Sequence, residues 1–261
     1  MRLVANWEQK MKKSKFIGDF SYKKDIGKIR IANEDECKVV VNGAGNVLMM
    51  VADGMGGHNK GDFASEKTIE IISEIFKEKK GFINTFFAAQ WIQKVIKIAN
   101  SRIYNIQDKD EDYRGMGTTL ALVLLIKNKM ITVNCGDSRI YWVKNNDLVQ
   151  LTEDQTYVNF LLHSGQITED EVATHPQRHI LTNAIGLFPS VSIDIKIHNY
   201  NGEKIFLCSD GVYNNIKKKD ILNVLNTKLS VEDKAQSLIS LGNYNGGSDN
   251  MSLIIWEAIN D

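Results

Sequence analysis

The sequence predicts an α+β fold in which stacked antiparallel sheets are covered by helices. Its strand and helix patterns come in blocks: strands, two long helices, many strands, short helices and a final strand. Strict alternation of strand and helix, as in a parallel doubly wound sheet, is absent. With only two prolines in 261 residues and no Ser/Gly-rich linker, one domain is the simplest interpretation.

The first block is a hairpin followed by two helices. We expect strands at Lys38–Asn42 and Val47–Ala52, joined by a glycine-containing segment with the composition of a hairpin turn. Apolar side chains then recur at helical spacing in Asp62–Lys79 and again in Asn84–Gln107. The aromatic residues on these helices are typical of core packing.

The second block is rich in short strands. The expected strands are Thr119–Ile126, Met130–Cys135, Arg139–Lys144, Leu148–Leu151, Ser192–His198, Lys204–Ser209 and Ser252–Ala258. The expected helices are Glu153–Ser164, Asp220–Asn226 and Glu232–Leu241, with an irregular loop over Asp170–Arg178.

Composition and charge exclude several classes of protein. The chain has 32 basic and 32 acidic residues, so its balance does not favour a nucleic-acid or membrane partner. The basic cluster Lys10–Lys15 is read as a solvated tail rather than a docking arm. No apolar stretch is long enough for a membrane span, and no secretory signal is recognised. Three widely spaced cysteines, Cys37, Cys135 and Cys208, fit a reducing compartment, and we expect a cytoplasmic protein.

Acidic residues gather at the ends of the expected strands. They are Glu34, Asp35, Asp53, Asp137, Asp210 and Asp249. Each one alone is typical of a turn, but strand ends of a sandwich can converge on one rim. Carboxylates brought together there would repel one another unless cations lay between them. Oxygen ligands without a matching His or Cys cluster select Mg²⁺ or Mn²⁺.

A carboxylate-bound pair of such ions supports the hydrolysis of phosphate esters. The ions share a water, lower its pKa and hold the ester's non-bridging oxygens. Arg30, just ahead of the first acidic pair, is placed to bind the phosphate bidentately. Neither a nucleophile elbow nor a Cys-x5-Arg pattern indicates a covalent route, and the glycine-rich loop after Asp53 does not match a P-loop.

Seven ordered blocks between Asp25 and Trp256 carry a resemblance to a known family. The blocks are Asp25-Ile-Gly-x-x-Arg30-x-x-Asn33-Glu34-Asp35, Val51-Ala-Asp53-Gly54-Met-Gly-Gly-His58, Gly115-Met-Gly117-Thr118-Thr119, Asn134-Cys-Gly-Asp137-Ser138-Arg139, His179-Ile-Leu-Thr-Asn-Ala-Ile-Gly186, Cys208-Ser-Asp210-Gly211-Val and Gly246-Gly-Ser-Asp249-Asn250-Met-Ser. The chain resembles the type 2C (PPM) metal-dependent protein serine/threonine phosphatases in their bacterial, stand-alone form.

The resemblance implies a four-layer αββα sandwich with two central antiparallel sheets. It implies a single catalytic domain over residues 25–261, with residues 1–24 as an N-terminal extension and first strand region. It also implies a binuclear Mg²⁺ or Mn²⁺ centre in which Asp53 bridges two ions. Asp210 and Asp249 would complete the first site, and the Gly54 carbonyl with Glu34 or Asp35 would serve the second. Asp137 would hold a third, more weakly bound ion, which it would share with Asp210.

The activity implied is hydrolysis of phosphoserine and phosphothreonine esters in proteins. A hydroxide that bridges the metals would attack phosphorus directly, without a phosphoenzyme intermediate. Arg30 matches the phosphate-binding arginine, and Thr118 and Thr119 would support the site. The functional counterpart would be a Ser/Thr kinase, with phosphoproteins as substrates, and we expect a monomer.

Three positions depart from the family pattern. Animal-type members have a histidine directly after Asp-Gly, whereas this chain has Met55, with His58 later in the loop as a candidate general acid. His163, His175 and His179 lie in the variable flap region, residues 153–179, where packing or surface roles are favoured for them over contact with the substrate. Asn183 stands where many bacterial relatives have arginine.

Two other functions fit part of the pattern. A two-metal phosphoesterase acting on small molecules would need the same strand-end carboxylates. A catalytically silent member serving as a binding module would be expected to lose a metal aspartate, yet Asp53, Asp210 and Asp249 are all present.

Overall fold

The computed structural model describes residues 18–56 and 60–259 of the chain, except for the side chain of Asp108. The Lys10–Lys15 cluster and His58 lie outside the described residues. No helix among the described residues is long and apolar enough to cross a membrane.

Two antiparallel sheets form the centre of the fold. The five-stranded sheet has the order β1 (Gly18–Asp25), β11 (Met251–Ala258), β10 (Lys204–Cys208), β7 (Arg139–Lys144) and β8 (Asp147–Gln150). The six-stranded sheet has the order β2 (Asp35–Val41), β3 (Val47–Met55), β5 (Leu120–Ile126), β6 (Lys129–Cys135) and β9 (Asp194–Asn199), with β4 (Gly117–Thr118) paired to β3.

Helices cover the outer face of each sheet. The helices of the described residues are α1 (Gly61–Glu78), α2 (Thr85–Lys109), α3 (Tyr157–His163), α4 (Glu169–Val172), α5 (Asp210–Asn215), α6 (Lys218–Leu225) and α7 (Val231–Tyr244), with a 3-10 turn at Glu111–Tyr113; α3 and α4 belong to the flap. The helices α1 and α2 pack on the six-stranded sheet, and α5, α6 and α7 pack on the five-stranded sheet.

Three apolar clusters separate these layers. On β3, Met50 faces the helices α1 and α2, whereas Met49 and Val51 face the other sheet. This follows from the alternation of side chains along a strand. Both faces of the central strands are therefore buried, which explains the continuous apolar run of β5. The predicted αββα sandwich is confirmed.

Strand β3 is longer than its apolar run suggested. It continues through Asp53 and Gly54 to Met55, and its partner β2 begins at Asp35, which pairs with Asp53. The sequence predicts an end at Ala52, because Asp and Gly disfavour strands. Pairing with β2 and β4 outweighs that preference, so Asp53 is held by a strand rather than by a loop.

The flap helix is shorter than predicted. Helix α3 begins only at Tyr157, because Thr156 caps it by accepting a hydrogen bond from the Asn159 amide. Gln155 just before it is extended, and its backbone N–H donates to the Gly136 carbonyl at 3.0 Å. Two short helices were not predicted: α4 within the flap and α5 directly after β10.

Strand β1 joins the N-terminal part of the chain to the sandwich. It pairs with β11 over its whole length, from Gly18 opposite Ala258 to Asp25 opposite Met251. The expected first strand region and the start of the catalytic domain at residue 25 therefore belong to one continuous strand.

Candidate metal centre

One cavity of about 450 Å³ collects most of the acidic residues singled out in the sequence. Its lining includes Glu34, Asp53, Asp137, Asp210 and Asp249, together with Arg30, Gly54 and His179. Asp53 and Gly54 lie on β3, Asp210 is the first residue of α5, and the others in this set lie in loops. Asp35 is absent from the lining, although it is adjacent in sequence to Glu34.

The strand pair β2–β3 positions the first acidic residues. The Gly54 amide donates to the Glu34 carbonyl at 3.0 Å, which ties the end of β3 to the start of β2. A Cβ added at Gly54 would lie 2.1 Å from the carbonyl oxygen of Gly61, so only glycine fits there. The close approach of three backbone segments therefore requires glycine after Asp53.

Two threonines hold the backbone of Asp53. The Asp53 amide donates to Thr119 Oγ1 at 2.9 Å, and Thr118 Oγ1 donates to the Asp53 carbonyl at 3.0 Å. Thr119 Oγ1 also lies 2.6 Å from the hydroxyl of Ser138, next to Asp137. These contacts leave the Asp53 carboxylate directed into the cavity while its main chain is fixed from both sides.

Asp210 and Asp249 meet where helix α5 contacts the loop before β11. Asp210 is the first residue of α5, and a Cβ added to its neighbour Gly211 would lie only 1.9 Å from the Asn250 carbonyl oxygen. The side-chain amide of Asn214 donates to Asp210 Oδ2 at 3.1 Å. Glycine at position 211 thus lets the two aspartates approach each other.

Arg30 forms a bidentate ion pair with Asp249. Its Nε lies 2.8 Å from Asp249 Oδ1, and its Nη2 donates to Oδ2 at 2.8 Å. This fork-to-carboxylate geometry is the one in which guanidinium also binds phosphate. Arg30 therefore lies in the cavity, as a phosphate-binding residue must, but its guanidinium is engaged by a carboxylate.

Asp137 lies deeper in the same cavity. Burial, followed by the charge of Asp210, raises the pKa of Asp137 to about 8. Its carbonyl accepts a hydrogen bond from the Tyr213 hydroxyl at 3.1 Å, and the Arg139 guanidinium stacks 3.5 Å from the Tyr213 ring. Arg139 is held in turn by Asp154, so Asp137 rests on a fixed polar network.

Asp35 is buried beneath the cavity. Its Oδ2 accepts a hydrogen bond from the Ser209 hydroxyl at 2.5 Å, while its Oδ1 has no partner among the described residues. Burial raises the pKa of Asp35 to about 7. Among the charged neighbours of Asp53, the Asp35 carboxylate does most to raise the pKa of Asp53.

The charges of the lining residues are unbalanced. Burial and the neighbouring carboxylates raise the pKa of Asp53 well above its usual range, and burial with Asp249 raises the pKa of Asp210. Five lining carboxylates and one guanidinium leave four negative charges when ionised, with His179 neutral. Two divalent cations carry four positive charges, so an all-oxygen site of this composition fits a pair of Mg²⁺ or Mn²⁺ ions.

The carboxylate oxygens do not surround a shared position in the way that ligands surround a bound metal ion. Among residues 18–56 and 60–259, no group of three His, Cys, Asp or Glu side chains meets the spacing of an assembled metal site. The reason is visible in the contacts: Arg30 takes both oxygens of Asp249, and Asn214 takes one oxygen of Asp210. Ion binding would exchange these protein donors for cations.

His179 is a site residue that the sequence reasoning did not single out. It lines the cavity, and its Nδ1 lies 4.0 Å from Asp210 Oδ2. The sequence favoured packing or surface roles for the three flap histidines, although His179 alone begins one of the seven blocks that carry the family resemblance. His163 contacts Glu153 at 3.1 Å, and His175 accepts a hydrogen bond from the Gln177 amide.

Asn183 and Asn250 organise the surroundings of the cavity. The Asn183 amide donates to Gln155 Oε1 at 2.6 Å and to the Ser192 carbonyl at 2.7 Å, so it joins the start of the flap to the segment before β9. The Asn250 side chain binds the loop before β2 through the carbonyls of Ile26 and Ala32, each at 2.9 Å.

Comparisons with known proteins agree with this geometry. A family model described as Protein phosphatase 2C matches residues 29–242. The serine/threonine phosphatase stp of Listeria welshimeri is 35% identical over 237 residues, covering 90% of this chain and 94% of that protein.

Solved structures of similar fold include the serine/threonine phosphatase of S. agalactiae, with a TM-score of 0.88 and 36% identity over 93% of this chain and 100% of that chain. Another is the catalytic domain of the protein phosphatase PstP in complex with two manganese ions, with a TM-score of 0.81 and 28% identity over 93% of this chain and 99% of that chain.

Proposed function

The chain belongs to the protein phosphatase 2C family, and from that membership we propose that it hydrolyses phosphoserine and phosphothreonine esters of proteins in a metal-dependent reaction. The observation that carries the proposal is the convergence of five carboxylates and Arg30 in one cavity. This arrangement can bind divalent cations and a phosphate group side by side. Ser/Thr kinases would supply the phosphoprotein substrates.

We assign the cation-binding roles as follows. Asp53 would serve both cations, Asp210 and Asp249 would help hold one of them, and the Gly54 carbonyl with Glu34 would help hold the other. Asp35 supports this set from below, because it is buried and bound to Ser209 rather than exposed to the cavity. When bound, such ions lower the pKa of water and neutralise the charge of a phosphate ester.

The protein contributes binding and orientation. Arg30 lies in the cavity, and its guanidinium can pair with phosphate oxygens once the Asp249 carboxylate binds a cation instead of Arg30. Thr118 and Thr119 fix the main chain of Asp53, so that its carboxylate needs little reorganisation.

We propose that the reaction proceeds without a phosphoenzyme intermediate. All three thiols are buried, and burial raises the pKa of Cys135 to about 12 and raises the pKa values of Cys37 and Cys208 as well. The hydroxyl of Thr119 is engaged with Ser138 and the Asp53 amide. These thiols and this hydroxyl are therefore poor nucleophiles, which supports direct attack by water.

A phosphothreonine peptide tests the proposed function. We expect hydrolysis with Mn²⁺ or Mg²⁺ and none in EDTA, measured as phosphate released, with activity restored by added metal. Comparing the peptide with p-nitrophenyl phosphate at equal metal separates a protein phosphatase from a small-molecule phosphoesterase. Full activity in EDTA would contradict the assignment.

We propose that Asp137 and Asp210 together would hold a third, more weakly bound cation. We expect Asp137→Asn to lower kcat by roughly tenfold to a hundredfold, as loss of an auxiliary ligand does. The tight binding of two Mn²⁺ ions should persist in isothermal titration calorimetry. Loss of the tight binding events in this variant would show instead that Asp137 belongs to the binuclear pair.

A further inference from the structure

Two exposed isoleucines flank Arg30, whose side chain lines the cavity. The exposed fraction is 69% for Ile29 and 96% for Ile31. Arg30 itself lines the cavity, and consecutive Cα atoms lie about 3.8 Å apart, so both isoleucines are within one residue of the site. Single exposed apolar residues are common on protein surfaces, and what distinguishes this pair is its position.

The loop that carries these isoleucines is fixed at several points. The Asn250 side-chain amide donates to the carbonyls of Ile26 and Ala32, and the Lys28 amide donates to the Gly247 carbonyl at 2.7 Å. The ion pair of Arg30 with Asp249 holds its centre. The exposure of Ile29 and Ile31 is therefore imposed by a hydrogen-bonded framework that is continuous with the cavity.

A second segment adds apolar surface to the same mouth. Leu181 lines the cavity, and its neighbour Ile180 is 48% exposed. The Ile180 carbonyl accepts a hydrogen bond from the Tyr157 amide at 2.8 Å, which joins this segment to the first turn of α3. Two anchored segments thus present isoleucines beside the site.

The substrate backbone must pass close to these side chains. The phosphorylated oxygen of serine or threonine is only two bonds from Cα, so a phosphoryl group inside the cavity holds the peptide at its mouth. The residues before and after the phosphorylated one then meet the rim. An apolar neighbour would remove isoleucine surface from water, whereas a polar neighbour would lose hydration without a partner there.

We propose that Ile29 and Ile31 form an apolar rim that selects phosphopeptides with aliphatic residues directly next to the phosphorylated serine or threonine. The inference rests on the proposed phosphatase function and specifies its substrate class. An acidic neighbour is the competing possibility, because Lys28 and Arg178 are exposed and adjacent in sequence to the rim and to His179.

Matched phosphothreonine peptides test the rim. Three peptides of equal length carry valine, serine or glutamate on both sides of the phosphothreonine, and kcat/KM is measured with Mn²⁺. We expect the wild-type protein to prefer the valine peptide over the serine peptide by roughly tenfold. The double variant Ile29→Ser/Ile31→Ser should reduce that preference to about twofold, mainly through KM.

Two controls separate recognition from folding and chemistry. Hydrolysis of p-nitrophenyl phosphate, which has no flanking residues, should change far less in the double variant than hydrolysis of the valine peptide. The variant Ile83→Ser removes an isoleucine that is 76% exposed between α1 and α2, and it should keep the full preference.

The outcomes distinguish the rim from the phosphatase function. An unchanged peptide preference in the double variant, an equal loss on p-nitrophenyl phosphate, or a preference for the glutamate peptide would each overturn the apolar rim. Failure of the wild-type protein to hydrolyse any of the esters with Mn²⁺ would instead overturn the phosphatase function, and the rim with it.

Discussion

Asp53→Asn is expected to lower kcat toward a phosphothreonine peptide by about 10³-fold or more, because it removes the one carboxylate assigned to both cations. The amide has the same shape, so the cavity keeps its volume. The main chain of Asp53 stays fixed by Thr118 and Thr119, so the loss is expected in the carboxylate's own contacts with cations and with Asp210. The measurement is single-substrate kinetics with Mn²⁺ in excess, with Asp19→Asn on the exposed face of β1 as a matched control.

The same variant should not lose stability in a chelator. Burial and four neighbouring carboxylates raise the pKa of Asp53. Without cations, the ionised carboxylate at pH 7 therefore lowers the free energy of unfolding. Asparagine has the same shape but no charge, so the substitution removes this destabilisation. We expect a Tm in EDTA equal to or above that of the wild type, and a smaller rise in Tm when Mn²⁺ is added. An undiminished Mn²⁺-dependent rise would contradict the assignment of Asp53 as a ligand.

Gly211→Ala is the second substitution with a large expected effect. The new methyl group would lie 1.9 Å from the Asn250 carbonyl oxygen and 3.3 Å from the Asp249 Cβ, so backbone must move. Overpacking against main chain costs about 3 kcal/mol of the free energy of unfolding, equivalent to a Tm lower by roughly 5–10 °C. Because the displaced segment carries Asp249, activity should fall as well.

Gly43→Ala provides the matched control for this prediction. A Cβ at Gly43 would meet no atom within 4 Å, so we expect a Tm close to that of the wild type. Thermal unfolding of both variants in EDTA keeps cation binding out of the comparison. A Gly211→Ala protein as stable as Gly43→Ala would mean that the contact between α5 and the loop before β11 relaxes easily.

The sequence predicted the elements whose patterns are local. The long helices α1 and α2 and most strands were predicted to within a few residues, because their apolar spacing reflects the face that each buries. The helix α5 was not predicted: its six residues, Asp-Gly-Val-Tyr-Asn-Asn, have poor helix propensity and are held by packing on the sheet. The flap helix was predicted too early, because Gln155 forms a distant contact with Gly136.

The candidate site was predictable as a set but not in its arrangement. The position of an acidic residue next to the end of a strand recurs on several strands, and this recurrence indicated which carboxylates converge. The pattern could not separate Glu34 from Asp35, because only the β2–β3 register turns Asp35 toward Ser209. It also could not find His179, since the flap brings that side chain to Asp210 through contacts remote in sequence.

The position of β11 between β1 and β10 has a consequence for synthesis on the ribosome. Until residues 251–258 leave the exit tunnel, β1 has no partner strand and is separated from β10 by the missing β11. Asp249 directly precedes that strand, so the acidic cavity also lacks a wall during elongation. We therefore expect a nascent chain to gain dephosphorylating activity only after β11 has paired with β1 and β10.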